Sequence, residues 1–156
     1  MPRSRVALLG LMAIAVSSCA IGATNTPGGA ASGSGEKVTV DNSPFGKAMV
    51  LSSGQSIYTP AVQGFACSVS CAATFHPITA KHIVAAVGVS SSFLGTKSGQ
   101  LLVGGHPAYI YSGDTLPFEV SGEGLTKDGT KWYLISPKGD LVIGKAGASG
   151  SVIKLG

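Results

Sequence analysis

The sequence predicts a small, mainly β domain of antiparallel strands, built from a duplicated strand-turn-strand unit. Three observations predict it. Short apolar runs alternate with turns rich in glycine, which supplies 23 of the 156 residues. Tyr58, Tyr109, Tyr111, Trp132 and Tyr133 fall inside those runs, where aromatic side chains suit a pleated, half-buried surface. Leu51, Gly54 and Tyr58 recur as Leu102, Gly105 and Tyr109, each pair 51 residues apart. Identity at a fixed period reads as an internal repeat, with chance identity across a glycine-rich chain as the alternative.

The elements follow in chain order. Arg3 and Arg5 form a positive start, and residues 6–16 form an apolar run. That run is too short to span a bilayer, which takes roughly 20 helical residues. Residues 1–18 therefore read as an export signal. The signal ends in "VSSC", which looks like the lipobox of bacterial lipoprotein precursors. In that pathway Cys19 is acylated and becomes the first residue of the mature chain. Plain secretion, with cleavage nearby, is the alternative. Residues 19–37 combine the lipidated cysteine with a Gly/Ser-rich stretch, "AIGATNTPGGAASGSGEK", too poor in apolar side chains to repay the entropy of ordering. It reads as a flexible tether.

Residues 38–156 fit one domain with a modest core. "KVTV" opens it. "KAMVLSSGQSIYTP" reads as strand, Ser-Gly turn, strand, and "GQLLVGGHPAYIYSGD" repeats the form around Gly104-Gly105. "KWYLISPKGDLVIGK" is a third such unit, turning at Pro137-Lys138-Gly139-Asp140. The one helical candidate is "TAKHIVAAVGV", weakened by its β-branched residues and glycine.

Charge and cysteines bound the function classes. Of eleven basic residues, Arg3 and Arg5 leave with the signal; nine lysines then face seven acidic residues, a net of +2. The lysines are scattered and not interleaved with aromatics, so nothing tracks a nucleic-acid backbone. With Cys19 lipidated, Cys67 and Cys71 of "CSVSC" remain, and outside the cytoplasm they should pair as a structural disulfide. The rivals are a redox dithiol and half a metal site. Thioredoxin-type motifs have two residues between the cysteines, not three, and a structural zinc usually takes four ligands.

The chain resembles the predicted bacterial lipoproteins defined by a Tyr-x-(Phe/Trp/Tyr)-x-x-Asp motif, the secreted-repeat proteins of unknown function. Tyr109, Tyr111 and Asp114 fit the motif, and "VLSSGQSIYT", "CSVSCAATFHPI" and "GTKWYLISPKGDLV" extend the likeness over most of the mature domain. The family's Trp-Pro-Pro stretch is here Phe75-His76-Pro77. The first copy departs further, with Pro60 and Gln63 where the second has Tyr111 and Asp114. The resemblance implies export, lipid anchoring and a repeated β unit, at the extracytoplasmic face of the bacterial cell membrane. It implies no activity.

No catalytic set emerges. His76 and His106 precede prolines and His82 sits in the helical candidate, places that suit solvated rings. A metal site wants three converging ligands, which His76, His106 and Asp114 would supply only if the fold joined them. No serine sits in a nucleophile elbow. Asp114, Glu119, Glu123 and Asp128 lie among glycines in what reads as a mobile, solvent-facing loop, able to bind a cation or a sugar. Three function classes compete. The first is an envelope lipoprotein with a structural or binding role, anchored to the bilayer through Cys19 and meeting an envelope protein or glycan. The others are an accessory to extracytoplasmic electron transfer or metal handling, and an envelope hydrolase. No cofactor is expected. Burial of Tyr109 and Tyr111 discriminates between the first two: on a core face they are packing residues, in a groove they bind. Asp114 is expected to cap the turn after Tyr111.

Overall fold

Turn chemistry decides the hairpins. Glu36–Ser43 (β1) folds back on Gly46–Leu51 (β2), in register from Val38 opposite Leu51 to Ser43 opposite Gly46. The computed structural model describes residues 36–79, 83–144 and 151–153. It is a small, mainly β domain of antiparallel sheets with little helix, one of them curled into half a barrel. After β2 the chain turns at Gly54 into Tyr58–Pro60 (β3), then makes a single helical turn, Val69–Ala72 (α1), and the strand Phe75–Pro77 (β4). Ile83–Ala85 (β5) precedes the second hairpin, Leu94–Lys97 (β6) with Gln100–Val103 (β7), followed by His106–Pro107 (β8) and Tyr109–Tyr111 (β9). Thr126–Lys127 (β10), Thr130–Ile135 (β11), Leu141–Ile143 (β12) and Ser151–Ile153 (β13) complete the order.

The curled sheet runs β13-β12-β11-β3-β9-β4, with β10 on β11; two three-stranded sheets, β2-β1-β5 and β6-β7-β8, flank it. The repeated tyrosines, Tyr58 and Tyr109, lie directly opposite each other where β3 and β9 pair antiparallel. The residues matched in the two similar segments thus pair directly with each other. The segments differ at their turns. In the second copy Val103 faces His106 across Gly104-Gly105, whereas in the first Val50 faces Ser56 across a longer turn. A one-residue slip reverses which face a strand residue points to. Accordingly Leu51 is buried while Leu102, its match in sequence, is only partly so.

Period-two alternation gives the domain two core clusters of different character. Ile57, Ile110 and Ile135 join Val38, Met49, Leu51, Ile78, Leu101 and Val103 in an aliphatic one. Their neighbours Tyr58, Tyr109 and Leu134, with Trp132, Phe75, Cys71 and Val142, form an aromatic one. Phe75 and Trp132 stack at 3.9 Å and 5°, and Tyr109 meets Trp132 edge-on at 4.9 Å. Trp132 is fully buried and its Nε1 has no acceptor among the described residues.

Two expectations are corrected. The helical candidate contains β5, which pairs parallel to β1 from Glu36 opposite Ile83 to Val38 opposite Ala85; the pairing lets β-branched Ile83 and Val84 follow their strand propensity. Residues 80–82, His82 among them, lie outside the described residues. Helix appears instead inside the cysteine segment. Cys67 and Cys71 are disulfide-bonded with Cα atoms 5.4 Å apart, and Ser68 caps the turn by accepting the Cys71 amide at 3.1 Å. β1 also starts at Glu36, two residues ahead of the expected domain boundary.

Candidate functional site

The motif residues come first. Tyr109 is buried and Tyr111 half-buried, both on the aromatic side of β9. Tyr111 packs on Phe75 at 5.1 Å and edge-on to Tyr58 at 6.5 Å. These tyrosines are therefore packing residues. Asp114 does not cap its own turn as expected. Its Oδ2 accepts the Tyr58 hydroxyl at 2.6 Å and its Oδ1 the Ser121 amide at 2.9 Å. The Tyr58 hydroxyl in turn accepts the Gly122 amide at 3.3 Å. The aspartate of one copy is thus bonded to the tyrosine of the other. Burial, then the Asp114 carboxyl, holds the Tyr58 hydroxyl far above its ordinary range. Burial also raises Asp114, against the opposing pull of its Tyr58 and Ser121 donors. Gly122 must be small here, because a Cβ would sit 2.9 Å from the Tyr58 ring and 3.0 Å from Tyr111 Cβ.

The acidic loop is braced by hydrogen bonds. Glu119 accepts the amides of Thr115 at 2.5 Å and Leu116 at 2.9 Å. The Leu116 amide, with Thr115, holds its carboxyl below the usual range. Ser56 Oγ donates to the Glu119 carbonyl at 2.6 Å, and the Phe118 amide donates to the Gly54 carbonyl at 2.8 Å. Gly54, the repeated turn glycine, has φ +90°, and a Cβ there would meet Pro117 at 2.7 Å. Asp128 opens the two-residue Asp-Gly turn between β10 and β11 with φ 51°, a type I′ position. It also accepts the Ser68 hydroxyl and lies 3.9 Å from Lys127 Nζ. The turn is thereby joined to the disulfide segment.

Glu123 stands apart. It is half-buried, and its Oε2 accepts the Leu134 amide at 2.7 Å. Burial pushes its carboxyl up to about 7, the Leu134 amide opposing. Among the described residues it forms no ion pair. It lines an open groove with Phe45, Gly124, Lys131, Tyr133, Ile143 and Gly144. Sequence reasoning placed Glu123 in the binding loop but missed Phe45, Lys131 and Tyr133. The available signal was phase: Lys131 and Tyr133 alternate with Thr130, Trp132 and Leu134, and only the latter three are buried.

His76 and His106, the histidines among the described residues, do not assemble with the acids. His106 is 6% exposed rather than surface-facing, and burial lowers its pKa. His76, on β4, lies opposite Ile110 of β9. Among the described residues no three His, Cys, Asp or Glu side chains converge where a metal could bind. Nor, among them, is any helix long and apolar enough to cross a membrane. No protein-family model, curated protein or solved structure matches the chain.

Proposed function

We propose that this chain is a bacterial extracytoplasmic lipoprotein, anchored to the cell membrane through lipid on Cys19, with a structural or binding role in the envelope. The observation that carries this reading is the Cys67–Cys71 disulfide. Disulfides persist in oxidising compartments, and this one leaves Cys19 as the remaining cysteine of three, at the end of "VSSC" behind a basic and an apolar segment. The likeness to the secreted-repeat lipoproteins points the same way. Burial of the motif tyrosines favours a packing role for the motif over a cofactor site. Growth with an alkynyl fatty acid tests the anchor. Label should appear on the wild-type chain, vanish in Cys19→Ala, and the variant should leave the membrane fraction. An unlabelled wild-type chain overturns the reading.

A further inference from the structure

From the groove beside Glu123 we infer a binding site for a neutral oligosaccharide, with Tyr133 and Phe45 as stacking surfaces and Glu123 and Lys131 as hydrogen-bonding groups. The inference rests on the envelope reading above and names the partner that reading leaves open.

An acid and a lysine share one groove, without an ion pair between them. A strongly charged ligand would be drawn to one and repelled by the other. A polyhydroxyl ligand uses both, because Glu123 accepts from its O–H groups and the Lys131 ammonium donates to its oxygens. A sugar ring also has an apolar C–H face, which matches aromatic surfaces such as those of Phe45 and Tyr133. Gly124 and Gly144 add no side chain to the lining, which leaves room for a broad ring. The Leu134 amide fixes one Glu123 oxygen at 2.7 Å, so the carboxyl is held in place before any ligand arrives. Of the nearby acids, Asp114 has both oxygens taken by Tyr58 and Ser121, and Glu119, which accepts Thr115 and Leu116 on one oxygen, does not line the groove. Among the described residues Glu123 is also the only carboxyl in the lining. Glycoside cleavage generally takes two, so the site holds a sugar chain without cutting it.

Titration calorimetry of the full chain tests this, with two probes: a linear β-1,4 tetramer of N-acetylglucosamine and one of glucose. At least one should bind saturably, with a Kd of about 0.1–1 mM. The tetramer preferred shows whether the acetamido group is read. Tyr133→Ala should weaken binding about tenfold, and Tyr133→Phe, which keeps the ring, should stay close to wild type. Glu123→Gln should weaken it about threefold at pH 8, where the wild-type carboxyl is charged. Lys97→Ala, in the distant β6–β7 hairpin, should change nothing. Thermal melts confirm that each variant is folded. No heat from either tetramer up to about 10 mM, or binding that a folded Tyr133→Ala leaves intact, overturns the inference. Mass spectrometry of Cys19 in the same preparation separates the two failures. A lipidated chain that binds neither tetramer sinks the groove assignment alone, and a chain without lipid sinks the envelope reading whatever the groove binds.

Discussion

The loop at residues 114–122 and the groove beside it are chemical neighbours with opposite uses for their carboxylates. In the loop, Asp114 joins Tyr58 to Ser121, and Glu119 gathers the amides of Thr115 and Leu116. Both Asp114 oxygens are thus committed to the protein's own donors, and Glu119 commits Oε2 and lies outside the groove lining. In the groove, Glu123 gives one oxygen to the Leu134 amide and forms no ion pair among the described residues. The contrast teaches where to look for recognition. An acid whose acceptors are filled is part of the scaffold, whatever motif it belongs to, and an acid with capacity left on an open groove is available to a ligand.

Four changes put that contrast to the test, the largest effect first. Gly122→Ala places a methyl against the Tyr58 ring and Tyr111, a forced overpacking expected to cost about 3 kcal/mol. Urea unfolding should show the midpoint falling, and an unchanged midpoint would mean the loop is not seated on these rings. Asp114→Ala leaves the buried Tyr58 hydroxyl without its acceptor, at a cost of about 2–3 kcal/mol. In a double-mutant cycle with Tyr58→Phe, much of that cost should disappear. Additive losses would show that the two residues act separately. Replacing both Cys67 and Cys71 by Ser opens a short loop worth about 2 kcal/mol in the chain-entropy treatment. Emission of Trp132, which Phe65 meets edge-on at 5.9 Å, gives a direct readout of whether that segment lifts away.

The smallest effect belongs to the groove. The folded-state pKa of Glu123, about 7, lies above the unfolded value. Its contribution to stability is therefore full below roughly pH 4.5 and is lost as pH rises through 7. Glu123→Gln should remove that slope and stabilise the protein at pH 8 by on the order of 1 kcal/mol, after allowance for solvent screening. Parallel stability profiles for wild type and variant between pH 5 and pH 8 would refute the burial of this carboxyl.

Legibility in the sequence followed the range of the interactions. The hairpins were readable because Ser-Gly, Gly-Gly and Pro-Lys-Gly-Asp turns carry their own chemistry. The disulfide was readable from compartment and count. β5 was not, because a three-residue strand parallel to β1 owes its conformation to a partner more than forty positions away. Helix at 69–72 depends on local capping by Ser68, a signal that was present and overlooked. At the site, the tyrosine spacing correctly put Tyr109 and Tyr111 on one face. The partner of Asp114 could not be guessed from nearby residues, since Tyr58 lies 56 positions upstream. Glu123 and Asp128 looked alike in sequence. Burial of one and the left-handed turn of the other separated them.

The meeting of Tyr58 and Tyr109 has a consequence for assembly. An antiparallel seam that joins equivalent residues of two copies is self-complementary in outline, like the contact in a two-fold homodimer. Either half, detached from its mate, would present an open strand edge already shaped for the other half of any neighbouring chain. The covalent link between the copies keeps the local concentration of the right partner high. Strand exchange between molecules is the failure that opens whenever that link is outcompeted.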